Sequence, residues 1–214
     1  MKTDDLITLL ATGAGSVDHR ATRRRLPVAV TISVLVAITW MAAWLRVRPD
    51  IAQAVELPMF WIKLAFPATV AAIAGVALAR LSRPGLEVGR GPLALLLAVV
   101  AVIWLMAIAA LAGTPTDERI NMVLGATWQT CTRNVMLLAL PVFIAMFAVL
   151  KTMAPTRLAQ AGAAAGLLAG AAGAAVYALH CPEMDAPFIA VWYVLGMAVP
   201  AALGTLIGPR LLRW

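Results

Sequence analysis

Six apolar runs, each close to the ~20 residues that a helix needs to cross a bilayer, leave this chain few alternatives to a membrane bundle. They cover residues 26–45, 59–79, 92–112, 134–150, 158–179 and 187–207, and the charged residues gather in the short breaks between them. Lys63 stands near the start of the second run. The fourth run is the shortest and is expected to borrow residues from Trp128 onward or to let Arg133 reach back to the interface. The predicted fold class is all-α: a polytopic membrane protein with six transmembrane helices in one bundle. It divides into a cytoplasmic N-terminal tail, residues 1–25, and a six-helix domain, residues 26–214.

Composition agrees, since 63% hydrophobic and 13% charged residues lie well outside soluble averages. A net charge of +7 would suit a nucleic-acid partner, but membrane proteins also collect Lys and Arg on their cytoplasmic side. No basic helix interleaved with aromatics appears, so direct nucleic-acid binding is not expected. The apolar run after Arg23, Arg24 and Arg25 starts late and is long enough to span, which argues against a cleavable signal peptide.

Orientation follows from the cations. Lys2, Arg20, Arg23, Arg24, Arg25, Arg80, Arg83, Arg90, Lys151, Arg157, Arg210 and Arg213 fall on one side. Arg46, Arg48, Lys63, Arg119 and Arg133 fall on the other. The richer side marks the cytoplasm, so both termini are expected there, with Cys131, His180 and Cys181 on the outer face. Trp40, Trp44, Trp61 and Trp128 fit the outer interface and Trp214 the inner one, whereas Trp104 and Trp192 are expected to pack more deeply.

Lipid supplies no hydrophobic drive for helix pairing, so small residues that allow close backbone approach carry the packing. Gly162, Gly166 and Gly170 in the fifth run share one helix face, as do Gly196, Pro200, Gly204 and Gly208 in the sixth. Ala71, Gly75 and Ala79 repeat the spacing in the second. All three rows are predicted seams inside one bundle, with self-association through the fifth run as the alternative. Pro67, Pro141 and Pro200 lie inside the even-numbered runs and are expected to bend them.

The middles of the runs hold no ionisable residue of the kind that ion-coupled transport needs. No phosphate loop, HExxH or nucleophile elbow appears either, and no enzyme is expected. The tail is more informative. "MKTDDLITLL" offers Thr3 as an N-cap, Asp4 and Asp5 for the first turn, and Leu6, Ile7 and Leu10 as an apolar face. So short a helix needs a surface to fold against. Anionic lipid would repel the two acids, whereas a protein partner with an apolar groove and basic rim would accept both acids and leucines.

The chain has two cysteines, one bridge or one site at most. "KTMAPTR" joins the fourth and fifth runs so tightly that they must be antiparallel neighbours, which brings Cys131 and Cys181 toward each other. A helix start and Arg133 give Cys131 the better claim to reactivity. Cys181 brings His180, Glu183 and Asp185, and two thiolates with an imidazole form the donor set of a soft-metal site. Cys131, Cys181 and His180 are therefore candidate redox or metal sensors, beside a structural disulfide and thiols without special role. A thiol oxidoreductase or a small metal carrier would use the same residues.

"MKTDDLI", "RPDIAQAVELPMFWIKL", "APTR", "GLLAG" followed by "YALHCPE", and the closing "GPRLLRW" together resemble the negative regulators of sigma F across nearly the whole chain. The resemblance implies a six-span anti-sigma factor of the bacterial inner membrane. Such a protein would retain an extracytoplasmic-function sigma factor at the cytoplasmic face and release it under envelope stress from heavy metals or oxidants. It also implies that Cys131, within "WQTCTRN", and Cys181 are the functional positions. No cofactor is implied beyond a soft metal ion acting as signal. Unlike many anti-sigma factors, this sequence shows no soluble zinc-binding anti-sigma domain, so Asp4, Asp5, Leu6, Ile7 and Leu10, with the inner loops, become the expected sigma-binding surface.

Overall fold

The computed structural model describes residues 3–13, 19–83, 85–153 and 155–213, with the side chains of residues 9–11, 13 and 19–23 outside the described set. Among the described residues all regular structure is helical. A short α1, Thr3–Gly13, precedes α2, His19–Trp44. The small α3, Ile51–Ala54, leads to α4, Pro58–Leu81, and then α5, Gly91–Ala112. The small α6, Arg119–Leu124, precedes α7, Trp128–Lys151, and α8, Leu158–Tyr177. Finally α9, Ala186–Phe188, passes through a π-helical turn, Ile189–Tyr193, into α10, Val194–Leu211.

Six of these segments are long and apolar enough to cross a membrane, and the protein is a multi-pass membrane protein. Local chemistry sets their limits. Proline occupies the first turn of α4, α5 and α9, where its missing N–H costs nothing. The short fourth run gains its length as expected, because α7 starts at Trp128.

α8 is the centre of the bundle, touching α10, α7, α4 and α2. The predicted glycine rows meet each other. A Cβ at Gly162 would collide with the carbonyl of Gly204, and one at Gly166 with the carbonyl of Pro200. At Gly170 it would lie 2.8 Å from Met197 Cα. The two backbones are in direct contact, which only glycine permits. Gly173 does the same for α7, where a Cβ would lie 2.6 Å from the Val135 carbonyl oxygen.

Two expectations need correction. Ala71, Gly75 and Ala79 are not a seam: a Cβ on Gly75 would meet open space and Ala79 is exposed. α4 instead buries Phe66, Val70, Ile73, Ala74, Leu78 and Leu81, a stripe of larger side chains. Trp104 does not pack deeply; it is exposed on the outward face of α5. Trp192 does pack, with its ring 5.5 Å from that of Trp128 and its Nε1 donating to the Val123 carbonyl at 2.8 Å. Trp214 lies outside the described residues.

The bundle has two distinct ends. At one, residues 85–90 and 155–157 meet, with Gly85 N donating to Thr156 Oγ1 and Arg157 paired with Glu87. α2 starts here and α10 finishes here, with Leu26, Leu81, Leu150 and Leu212 in one apolar cluster. At the other end, residues 45–57, 113–127 and 178–185 surround a second cluster that contains both cysteines.

Candidate functional site

The site grows from the end of α8. Its last turn closes with His180 N and Cys181 N both donating to the Tyr177 carbonyl, at 2.9 and 3.0 Å, before Pro182 forces the chain away. Residues 181–185 then run as a strap to α9. Cys131 lies in the first turn of α7, its N–H on the Thr127 carbonyl at 3.0 Å. Both thiols are free and fully buried, and they share one apolar cluster within electrostatic reach of each other. The short α7–α8 connection has done what the sequence required of it.

Two cations hold the strap. Lys63 of α4 is completely buried, and its Nζ donates to the carbonyls of Cys181 and Glu183, both at 2.6 Å. The same ammonium lies 5.6 Å above the Tyr193 ring and within electrostatic reach of both sulfurs. Arg48 donates to the Cys181 carbonyl at 3.3 Å while its other nitrogens grip Asp50 at 2.7 and 2.6 Å. That bidentate pair raises the Arg48 pKa and lowers that of Asp50.

A carboxylate ties the strap to α7. Glu183 Oε1 accepts from Ala126 N at 2.8 Å, Thr127 N at 3.1 Å and Thr127 Oγ1 at 3.2 Å. These groups form the amino end of α7, so a negative charge is seated where unpaired N–H donors and the helix dipole favour it. Gly125 makes the approach possible: its φ is +57°, and a Cβ there would lie 2.7 Å from Glu183 Oε2. Burial, then the charge of Glu183, raises the pKa of neighbouring Asp185.

Aromatic and amide groups complete the walls. Tyr177 and Asn134 are both buried, and the Tyr177 ring lies 6.2 Å from that of Tyr193. The π-helical turn ends at Tyr193, whose buried hydroxyl faces Cys181 without a well-formed hydrogen bond. One-turn π-bulges of this kind recur where a helix must re-aim a side chain at a site.

The electrostatics invert the expected ranking of the sulfurs. Cys131 was favoured by its helix end and Arg133, but Glu183 occupies that helix end and Arg133 is exposed. The cations converge on Cys181 instead. Interaction with the Cys131 thiol, followed by the Lys63 charge, holds the Cys181 pKa below the ordinary thiol value despite burial.

His180 is placed differently from the expected metal set. Its Nδ1 contacts the Arg46 carbonyl at 2.8 Å, where Arg46 itself adopts a left-handed φ of 64°. No group of three or more His, Cys, Asp or Glu side chains able to hold a metal occurs among the described residues. The structure therefore unites Cys131 and Cys181 and leaves His180 outside the pair. Two adjacent sulfurs can lose two electrons and two protons to form a disulfide, or offer two soft donors to one ion. A tetrahedral zinc site would need two further ligands.

Lys63, Arg48 and Tyr193 were not expected at the site, and Glu183, expected beside Cys181, binds the amino end of α7 instead. Lys63 carried a readable signal, because an ionisable residue inside a span is costly and usually functional. Its position near a helix end disguised it as an interface residue. The tail is helical as expected, although Thr3 is already within α1 rather than before it. Asp4 and Asp5 occupy its first turn, and Leu6 and Ile7 are 42% and 59% exposed. The side chain of Leu10 lies outside the described residues.

Comparison with known proteins finds relatives along the whole chain. The chain is 47% identical over 214 residues to a probable anti-sigma-F factor NrsF of Azospira oryzae, with both chains covered completely. It is 36% identical over 216 residues to the anti-sigma-F factor NrsF of Caulobacter vibrioides, again with full coverage of both. No solved structure matches the chain at a significant level. Residues 10–214 match the family described as Negative regulator of sigma F, and the chain belongs to that family.

Proposed function

We propose that this protein is an inner-membrane anti-sigma factor that holds an extracytoplasmic-function sigma factor at the cytoplasmic face and releases it when Cys131 and Cys181 react. The observation that carries this reading is the buried thiol pair, set at the end of the bundle opposite the start of α2 and the finish of α10. The cation census supports placing the thiols in the periplasm and the tail in the cytoplasm. The names of the relatives support the sigma factor as partner.

Capture rests on α1. Leu6, Ile7 and Leu10 supply apolar anchors, and Asp4 and Asp5 address a basic rim on the partner. Release starts at the sulfurs. An oxidant that accepts two electrons would join them in a disulfide, and a soft metal ion would bridge them as a two-sulfur ligand. Either event draws the two sulfurs together and pulls on the strap, which Lys63 ties to α4 and Glu183 ties to α7. α7 and α8 then carry the displacement to the opposite end. A bias of about 3 kcal/mol between two packings would change capture about a hundredfold.

Deleting residues 2–12 tests capture. The sigma factor should leave the membrane fraction; undiminished retention would remove α1 from the account. Impermeant thiol labelling of a denatured and a native spheroplast preparation tests topology, and label reaching either sulfur from the cytoplasmic side alone would reject the sensing arrangement.

A further inference from the structure

Far from the thiols, a cleft of about 470 Å³ opens at the other end of the bundle between α4, α5 and α8. Ile73 and Ala77, Leu93 and Leu96, and Ala163 and Leu167 form its apolar walls. Arg90, Arg157, Glu87 and Gln160 ring its polar mouth. The cleft exists because the first half of α5 packs loosely. Its fully buried residues, Ile103 and Ala107, lie in the far half, whereas Leu96, Val99 and Val100 are only partly buried against the core. Opposite that loosely packed half, α8 offers Ala163, too small to close the gap.

An apolar trough within the span that ends in arginines at the span's edge has the polarity of a phospholipid. Residues 82–90 and 152–157 contain Arg83, Arg90 and Arg157 against a single acid, Glu87. Arg80 adds a fourth cation, fixed by its Nη1 on the Val88 carbonyl at 3.1 Å. Glu87 pairs with Arg157, but both are solvent-exposed, so a phosphate can displace the carboxylate at little cost. The volume suits an acyl chain and not an α-helix, which with its side chains is about 10 Å across.

We propose that this cleft is a binding site for one anionic phospholipid, with its phosphate between Arg90 and Arg157 and one acyl chain along the α4–α5–α8 wall. Basic pockets between transmembrane helices recognise anionic headgroups in this way. The bound lipid completes the bundle where α5 is only loosely packed against α4 and α8.

Native mass spectrometry of the full-length protein in detergent, titrated with phosphatidylglycerol or phosphatidylcholine, reads the site directly. One phosphatidylglycerol should be retained per chain in preference to phosphatidylcholine. The double variant Arg90→Ala/Arg157→Ala should bind it about thirtyfold more weakly. Ala163→Phe, which fills the trough and leaves the cations in place, should lose the preference as well. Equal retention of the two lipids by the wild type, or a double variant that binds as well as wild type, would overturn the proposal and leave ordinary annular lipid. A photoreactive residue at Leu96 in native membranes should crosslink to lipid. Its capture of α1 or of a second copy of the chain would also overturn the proposal.

Discussion

α8 and α5 are both uncharged spans, yet they behave in opposite ways. α5 is the most apolar of the six and only 11% of it is buried inside the protein; α8 is the least apolar and 72% of it is buried. In water that order would be perverse. In lipid it is expected, because a leucine gains nothing by exchanging an acyl chain for another leucine, whereas a glycine row lets two backbones touch. Burial in this protein follows shape. The thiol strap is attached to the helix whose position is fixed most rigidly, and the helix with the bulkiest surface is left to the bilayer.

Breaking the seam is the sharpest way to test that contrast. Gly166→Leu would drive a side chain into the Pro200 carbonyl and should cost about 3 kcal/mol in detergent unfolding. Leu105→Ala on α5, where the side chain is 64% exposed, should cost less than about 0.5 kcal/mol. Equal losses would show that apolar area, and not backbone approach, holds the bundle.

A second contrast concerns the cations at the two ends. Arg157 makes an exposed pair of the kind that contributes little, whereas Lys63 is buried against two carbonyls. Lys63→Met should cost about 1–3 kcal/mol, by leaving the Glu183 carbonyl without a donor and the Cys181 carbonyl with Arg48 alone, and should loosen the strap enough to speed alkylation of Cys181. Arg157→Ala should change unfolding free energy by less than about 0.5 kcal/mol. Glu183→Gln keeps the hydrogen-bonding shape but removes the charge at the amino end of α7. A loss of about 1 kcal/mol is expected, with weaker coupling between the strap and α7.

Asp185 gives the smallest effect and a sign to check. Its pKa is raised in the folded protein, so the folded state binds its proton more tightly than the unfolded state does. Stability therefore falls as pH rises from the ordinary aspartate range through the folded pKa, and the loss persists above it. Asp185→Asn should remove that slope and make the protein slightly more stable at neutral pH. An unchanged pH dependence of unfolding would show that Asp185 is not strained by its surroundings.

The scaffold was legible in the sequence to a degree that the site was not. Run lengths fixed the six helices, and glycine spacing marked the packing faces of α8 and α10 without pairing them, because both signals depend on local periodicity. Gly75 misled because spacing cannot say whether a partner backbone lies opposite. The meeting of Cys131 and Cys181 was legible from one short loop. Lys63 and Glu183 were not, since their partners lie 118 and 56 residues away, as Cys181 and Thr127 respectively. Backbone carbonyls and amides leave no mark in a sequence, and these two residues act almost entirely on them. The exchanged ranking of the two thiols has the same origin: Arg133 was visible beside Cys131, and Glu183 on the same helix end was not.

The most direct test of the central claim uses membranes carrying the protein with its sigma factor bound. These are treated with diamide, which takes two electrons and two protons from a thiol pair, and sedimented. Wild-type membranes should release the sigma factor into the supernatant in step with formation of a Cys131–Cys181 disulfide, while Cys131→Ser and Cys181→Ser membranes should retain it. Release from the double serine variant equal to that from wild type would contradict the account, as would complete disulfide formation with the sigma factor still bound.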